Sequence, residues 1–166
     1  MIPAGADFVD VDVIPVDDFE VECPETVMLT LAPDPSYSIG SPTTATVTIL
    51  DKDLPTVKVT VPDGRSSERR RRPGEIQIRR AGCKDTPLTV FFSFSGSATY
   101  GVDYTNSVGG TSVTIPAGSS SKGIKIHPVN DSIKEDREDV VLELVTDPAY
   151  QIGSPSNGTV TINDND

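Results

Sequence analysis

The sequence has no tryptophan and few other aromatic residues, four Tyr and five Phe among 166 residues. No apolar run approaches the roughly 20 residues that a membrane-spanning helix needs, so no membrane insertion is expected. Met1 leads straight into Ile2-Pro3-Ala4-Gly5, so no signal peptide is expected there either. Val, Ile and Leu instead recur in short alternating runs, punctuated by 14 Pro and 13 Gly. This pattern favours an all-β protein.

Residues that usually carry catalysis or thiolate chemistry are also scarce. His127 is the only histidine, and no Ser or Cys constellation accompanies it, so a hydrolytic triad is not expected. Paired acidic residues could suggest glycoside hydrolysis, but no aromatic residues that would stack on a sugar accompany them, so a glycosidase is not expected. Cys23 and Cys83 have no metal-thiolate spacing and fall at non-equivalent positions of the repeat described below, so we expect no structural disulfide. The sequence therefore predicts a protein that is not an enzyme.

Negative charge is concentrated in one part of the chain. Residues 1–53 carry eleven acids and a single base, Lys52, whereas residues 54–166 carry fourteen acids and thirteen bases. The acidic part argues against nucleic acid as a partner, because phosphate contacts need clustered Lys and Arg. It is compatible with hard cations, which bind carboxylate oxygens, and equally with a solubilising acidic surface.

An internal repeat organises the sequence. Ile2-Pro3-Ala4-Gly5 recurs as Ile115-Pro116-Ala117-Gly118, and at this offset residues 2–53 align without a gap with residues 115–166, with 25 identities in 52 positions. Residues 54–114 precede the second copy and have no counterpart before the first. We therefore predict two domains, residues 1–53 as the C-terminal half of a repeat and residues 54–166 as a complete repeat.

Alternating apolar runs predict seven strands in the complete copy, near Thr56–Val61, Glu75–Arg80, Leu88–Phe94, Thr111–Ile115, Lys122–His127, Asp139–Val145 and Gly158–Ile162. Seven short strands over roughly 110 residues are typical of a β-sandwich. The partial copy has three, near Phe8–Ile14, Glu25–Leu31 and Ala45–Leu50. Three strands leave one side of a core uncovered. We therefore expect Val27, Leu29, Leu31, Val47 and Ile49 to be more exposed than Val140, Leu142, Leu144, Val160 and Ile162.

The motifs of the complete copy resemble those of the Calx-beta family, which takes its name from the calcium-binding repeats of sodium–calcium exchangers. The matching segments are Ser67-Glu68, Pro73-Gly74, Arg80-Ala81-Gly82, the Gly96 to Tyr104 run, the Ile-Pro-Ala-Gly turn, the acidic loop from Asn130 to Glu138, and the final Thr-Val-Thr-Ile-Asn-Asp-Asn-Asp. The resemblance implies an immunoglobulin-like sandwich of two antiparallel sheets, and the internal repeat makes this a tandem arrangement with the first copy truncated. It also implies Ca²⁺ bound by loops at one end.

By this resemblance, the calcium ligands of the complete copy are Glu68, Asp103, Asp131, Glu135, Glu138, Asp164 and Asp166. Calcium takes six to eight oxygens, mostly from carboxylates and carbonyls, and so many carboxylates repel one another without a counter-ion. The alternative is that these loops are solvated acidic turns. Asn130, which stands where the first copy has Asp17, and Lys134 inside the loop weaken the calcium interpretation.

The partial copy retains the matching acids Asp17, Asp18, Glu22, Glu25, Asp51 and Asp53. The positions equivalent to Glu68 and Asp103 would precede Met1, so we expect its site to be incomplete within this chain.

A run of four arginines, Arg69–Arg72, directly follows Glu68. Cations beside a calcium site weaken metal binding or pair with its carboxylates in the metal's place. Two alternatives are a surface that binds polyanions, such as acidic glycans, and a solvated loop.

The resemblance implies a calcium-binding segment of a larger extracellular or cell-surface protein, acting as a structural or adhesive module. Its partners would then be neighbouring repeats and a protein or glycan ligand. The alternative function is a regulatory calcium sensor attached to a membrane transporter such as a sodium–calcium exchanger. Affinity separates the two, because cytosolic sensors work at micromolar calcium and extracellular modules at about 10⁻⁴–10⁻³ M.

Overall fold

Strands account for nearly all the regular structure of the computed structural model, which describes residues 1–166 as two units, Met1–Asp53 and Leu54–Asp166. The first unit contains β1 (Glu25–Thr30) and β2 (Thr44–Ile49). The second unit contains β3 (Thr56–Asp63), β4 (Arg65–Ser67), β5 (Gly74–Ala81), β6 (Leu88–Gly96), β7 (Tyr104–Asn106), β8 (Ser112–Ile115), β9 (Ser121–Pro128), β10 (Glu138–Leu144), β11 (Gln151–Ile152) and β12 (Asn157–Asn163), with a short 3₁₀ turn at Arg69–Arg71. No helix is long and apolar enough to cross a membrane.

The second unit is a sandwich of two five-stranded sheets, with strand orders β4-β12-β10-β6-β8 and β11-β3-β5-β9-β7. The pairings are antiparallel except at two edges, where β4 runs parallel to β12 and β11 runs parallel to β3. The expected all-β sandwich is confirmed, with these two parallel edge pairs as an addition. All seven predicted strands are present.

Alternation along the strands builds the core between the sheets. One face contributes side chains such as Val59, Ile76 and Ile124, and the other contributes Phe92 and Leu142, all nearly inaccessible to solvent. Because the side-chain period of a strand is two, the intervening residues face water. This core fixes the ends of the strands, from which the loops project.

The two ends of the sandwich are defined by which strands begin and end there. At one end, here called the acidic tip, β5 begins, β9 ends at Pro128, and β10 begins at Glu138. At the far end, β5 finishes and β9 begins. The strand β3 starts at the far end, where Thr56 pairs with Ala81, and β12 ends at the acidic tip, where Ile162 pairs with Glu138.

Arg80 secures the loops of the far end. Arg80 is 6 % exposed, and its guanidinium donates to the carbonyl oxygens of four residues, Ser119, Thr86, Lys84 and Pro116. These bonds satisfy a buried cation without any carboxylate, since arginine has five donors in a planar fork. The loops of the far end are therefore held to one another through hydrogen bonds to Arg80.

The first unit reproduces the β10–β12 hairpin of the second. Val27 pairs with Val47 as Val140 pairs with Val160, and the Tyr37 and Tyr150 hydroxyls donate to equivalent carbonyls, of Ala32 and Val145. Its inner face is nevertheless open. Leu29 is 39 % exposed and Val47 is 47 % exposed, whereas Leu142 and Val160 are at 0 %. The expected contrast in exposure is confirmed.

Two sequence predictions are wrong. Phe8–Ile14 forms no strand, because its equivalent, β9, lies between β5 and β7 and the first unit contains no such partners. Neither Cys23 nor Cys83 is a free thiol, and both are disulfide-bonded. The two cysteines occupy non-equivalent positions of the repeat. This excludes a disulfide that recurs in each copy, but it does not exclude a disulfide that occurs only once in the chain.

Candidate metal centre

Four segments converge at the acidic tip and bring the predicted carboxylates of the second unit together. Glu68 follows β4, Asp103 precedes β7, the loop 129–137 joins β9 to β10, and residues 164–166 follow β12. The backbone N–H of Val129 donates to the Asp103 carbonyl at 2.9 Å, and that of Glu68 donates to Asn163 at 3.1 Å. Backbone bonds therefore hold these segments in register with one another.

Glu68 lies deepest, with 3 % of its surface exposed. Its carboxylate oxygen lies within 4.8 Å of oxygens of both Asp164 and Asp166. The Asn165 amide approaches it at 3.5 Å, and the Glu68 carboxyl group also forms a side-chain hydrogen bond with that of Asp164. Burial, with the neighbouring carboxylates of Asp164, Asp131 and Glu135 as smaller causes, raises the pKa of the Glu68 carboxyl to about 7.

A second group of three carboxylates, Asp103, Glu135 and Glu138, also has oxygens within 4.8 Å of one another. Asp103 is 6 % exposed, and its Oδ2 accepts from the Thr99 N–H at 2.6 Å. Burial, followed by the charge of Asp103, raises the pKa values of both Glu135 and Glu138. A bound cation would relieve the mutual repulsion of these three carboxylates.

Asp131 and Asp164 link the two groups. Asp131 contributes to the raised pKa values of both Glu68 and Glu135, and its Oδ1 accepts from the Ile133 N–H at 2.6 Å. Asp164 accepts from the backbone N–H groups of Glu135, Asn165 and Asp166. These bonds lower the pKa of Asp164 and keep one carboxylate of the tip ionised.

No protein cation neutralises this tip. The two ion pairs of the structure join Lys52 to Asp17 and Arg72 to Asp63, and neither involves a tip carboxylate. Lys134 is exposed. The donors are all hard oxygens, several are desolvated, and none has a cationic partner, which is the set that calcium prefers. The residues present therefore fit a calcium ion.

The arginines following Glu68 do not occupy the metal's place. Arg69–Arg72 are all exposed, and Arg72 pairs with Asp63 rather than with the tip. The hypothesis that they pair with the calcium ligands is therefore wrong for this structure.

The acids of the first unit are arranged more loosely. Asp17, Asp18, Glu22, Glu25 and Asp51 line one surface pocket with Lys52, and Asp53 donates its N–H to Asp51. The Glu22 N–H donates to Asp51 at 2.7 Å, which is the counterpart of the Glu135 to Asp164 bond. No three carboxylates there approach one another as closely as those of the second unit.

Two asparagines of the acidic tip were not predicted from the sequence as site residues. Asn165 Nδ2 approaches both Glu68 Oε2 and Asn130 Oδ1, and Asn163 Nδ2 donates to the Ser66 carbonyl. Both lie in the terminal Asn-Asp-Asn-Asp segment, where they alternate with the proposed ligands. That alternation is the signal that would have revealed them.

A family model of the Calx-beta domain matches residues 2–53 and again residues 55–166. The chain belongs to the Calx-beta domain family. The two matched ranges coincide with the two copies of the repeat, and this family assignment extends over nearly the whole sequence. No curated protein matches the chain significantly.

Several solved structures share the Calx-beta fold. The crystal structure of the apo-form Calx CBD1 domain is 21 % identical with a TM-score of 0.53, and the match covers 69 % of this chain and 100 % of that one. CBD12 from CALX1.2 is 21 % identical with a TM-score of 0.52, over 66 % of this chain and 44 % of that one. The calcium binding domain CBD12 of CALX1.1 is 22 % identical with a TM-score of 0.50, over 64 % and 44 %. At these identities the likeness concerns the fold.

Proposed function

We propose that residues 54–166 form a calcium-binding domain whose site is the acidic tip. The observation that carries this proposal is Glu68, a carboxyl group 3 % exposed among other carboxylates and without a cationic partner. A buried charge of this kind is costly unless it is paired or bound to a metal. Calcium supplies the positive charge that the chain does not.

In this proposal the residues have different tasks. Asp164 is already ionised through its three backbone bonds and provides the first charge that attracts the ion. The Glu68 carboxyl, with its pKa raised to about 7, releases its proton as the metal binds, and the pKa values of Glu135 and Glu138 are shifted in the same direction. Asp103, Asp131 and Asp166 complete the oxygen set from three further loop positions.

We favour a regulatory role, in which calcium occupancy orders the tip of a sensor domain within a larger membrane-associated protein such as a transporter. The likeness to the Calx CBD1 and CBD12 structures supports this role. The structural or adhesive role in an extracellular protein is the second candidate, and the tandem repeat favours it. Neither role needs catalysis.

Calorimetric titration of the full chain with calcium tests the site. We expect saturable binding, which Glu135→Gln weakens at least about tenfold, since loss even of outer partners of metal ligands costs that much. Asp136→Asn is the matched control, because Asp136 is an exposed acid in the same loop and belongs to neither carboxylate group. No heat at millimolar calcium, or equal loss in both variants, would contradict the proposal.

The measured affinity distinguishes the two roles. A dissociation constant near 10⁻⁷–10⁻⁵ M supports the sensor, and one of about 10⁻⁴–10⁻³ M supports the extracellular module. The same measurement bears on localisation, because each range matches the free calcium on one side of the cell membrane.

We also infer that residues 1–53 are the C-terminal half of a repeat whose remaining strands come from elsewhere, in the longer protein or in a neighbouring repeat. The open inner face of its hairpin supports this inference. Addition of a separate fragment equivalent to residues 54–114 should bury Leu29 and Val47, as solvent exchange of their amides would report. Unchanged exchange would contradict it.

A further inference from the structure

Apolar side chains project from the same loops that carry the carboxylates of the acidic tip. Val102, next to Asp103, is 55 % exposed, and Ile133, between Asp131 and Glu135, is 62 % exposed. Tyr100, in the Asp103 loop, is also exposed and stacks edge-on against Tyr104. Isolated exposed apolar residues are ordinary, but these lie on converging loops, around one group of charges.

An arginine ridge, defined here as Arg69, Arg70 and Arg71, borders the same tip. None of the three has a carboxylate partner. Arg70 and Arg71 have φ values of 68° and 49°, a left-handed conformation that is unfavourable for residues other than glycine. The chain therefore holds three unpaired guanidinium groups in solvent, directly after its most buried carboxylate.

We propose that the acidic tip is a membrane-docking surface, which binds anionic phospholipid headgroups when calcium is present. The arginine ridge contacts lipid phosphates, for which the guanidinium fork is well suited. Val102 and Ile133 enter the boundary between headgroups and acyl chains, as apolar side chains of interfacial proteins do. The chain lies on the bilayer and does not span it.

Calcium dependence follows from the charges at the tip. Without metal, the carboxylates of Glu68, Asp103 and their neighbours repel an anionic surface and offset the adjacent arginines. These groups lie close enough for the repulsion to act, since salt screens charges only beyond about 10 Å at 0.1 M. Each bound calcium ion offsets two of these negative charges, which weakens the repulsion and lets the ridge attract the anionic surface. The inference therefore rests on the proposed calcium site.

A bilayer fits these observations better than a soluble polyanion does. A sulfated glycan or an acidic peptide would match the arginines but would leave Val102 and Ile133 in water. A bilayer supplies phosphate and an apolar layer at neighbouring depths. The combination of exposed cations with exposed aliphatic side chains on one tip is what favours lipid.

Co-sedimentation of the full chain with phospholipid vesicles tests the proposal. We expect binding to vesicles of phosphatidylcholine with phosphatidylserine in calcium, and none in chelator or with phosphatidylcholine alone. The variant R69S/R70N/R71N should bind on the order of 100-fold more weakly, because each basic residue near an anionic surface contributes about fivefold. V102S/I133S should bind at least about tenfold more weakly through lost apolar burial.

Matched control variants remove cationic and aliphatic side chains of the same kinds at positions away from the tip. R79S/K84S/K122S deletes three exposed cations of the far end, and V145S deletes an exposed aliphatic side chain beyond the far end of β10. Both should bind vesicles as the unchanged protein does. Equal losses in these controls, or equal binding to vesicles without phosphatidylserine, would overturn the proposal.

Calorimetry in solution separates this inference from the calcium site. Calcium heat with no vesicle binding would overturn membrane docking and leave the calcium site standing. Absence of calcium heat would overturn both. Calcium-dependent binding to heparin, but not to vesicles, would assign the ridge to a soluble polyanion and overturn the lipid assignment.

Discussion

Glu68 shows how the position of one carboxyl group determines the chemistry of the tip. Its neighbours Ser67 and Arg69 are more accessible, whereas Glu68 turns inward beneath the terminal residues of the chain. The parallel pairing of β4 with β12 places it there, since Ser67 is opposite Asn163. An exposed glutamate would titrate ordinarily and would attract a cation only weakly.

The raised pKa of Glu68 predicts the pH dependence of the metal-free protein. With a folded pKa of about 7 against an ordinary value of 4.5, the folded state binds more protons than the unfolded state in this window. The free energy of unfolding therefore falls as pH rises from about 5 to 8, by at most about 3 kcal/mol from this group. Chemical denaturation in chelator measures it.

Glu68→Gln should remove most of that decrease, because the amide does not titrate, whereas Asp136→Asn should leave it in place. Calcium should also abolish the decrease in the unchanged protein. A metal-free protein more stable at pH 8 than at pH 5 would contradict the assignment.

Gly96 is the glycine of the second unit with the least room for a side chain. Its φ is +119°, and a Cβ atom would fall 2.0 Å from the Asp139 carbonyl oxygen. Gly96→Ala should therefore destabilise the second unit by at least about 2 kcal/mol. Gly110→Ala is the control, since nothing lies within 4 Å of its Cβ position, and it should be nearly neutral. Thermal unfolding of the two variants checks this, and equal stabilities would contradict it.

The seven tip acids could be named from the sequence only because a family pattern aligned them. Glu68 and Asp166 are far apart in the chain, and no spacing rule brings them together. Burial of Glu68 was not predictable, since it depends on β4, whose residues Arg65-Ser66-Ser67 show no apolar alternation. The disulfide bonding of Cys23 was not predicted either. The comparison of the two copies reveals only features that both copies share, and Cys23 has no equivalent cysteine in the second copy.

At the scale of the elements, alternation predicted the long strands and failed for the short ones. β10 alternates apolar residues over its length and was placed within one residue at each end. β7 and β11 span three and two residues, too few for a period to be recognised. Phe8–Ile14 has the right pattern without partners, because a strand forms through its ladder rather than through its own sequence.

The repeated hairpins allow one substitution to be compared in two environments. Leu142→Ala should destabilise the second unit by about 2–5 kcal/mol, since it empties a fully packed site. Leu29→Ala, at the equivalent position of the first unit, should cost less than about 1 kcal/mol because Leu29 is 39 % exposed. Denaturant unfolding of the full chain measures both.

A large and concentration-dependent cost of Leu29→Ala would mean that another copy covers the first hairpin in solution. Equal costs that do not depend on concentration would contradict the exposure of that hairpin.

At the scale of the whole molecule, net charge and closely grouped carboxylates are divided differently between the two units. Residues 1–53 carry most of the net charge, yet the closely approaching carboxylates lie in residues 54–166. Net charge alone therefore does not indicate where carboxylates converge. Desolvation and convergence of loops, rather than the number of acids, determine where a divalent ion is held.

Hydrogen exchange with and without calcium tests this division. The Glu135 amide, bonded to Asp164, should exchange at least about tenfold more slowly with calcium, because the ion stabilises the loop that holds it. The equivalent Glu22 amide, bonded to Asp51, serves as the internal control and should be unaffected. Equal protection of both amides would mean that the first unit also binds the ion.

The placement of the termini of residues 54–166 at opposite ends of the sandwich has a mechanical consequence. Tension between Leu54 and Asp166 pulls β3 and β12 along their axes in opposite directions. The ladder bonds of β12 with β10 and β4 lie across that axis, so they are loaded together in shear rather than broken one after another. An ion held by Asp164 and Asp166 would fasten the loaded end of β12 to Glu68. Calcium would then cross-link the loaded end of the strand, and the force at which the domain unfolds would rise with the calcium concentration.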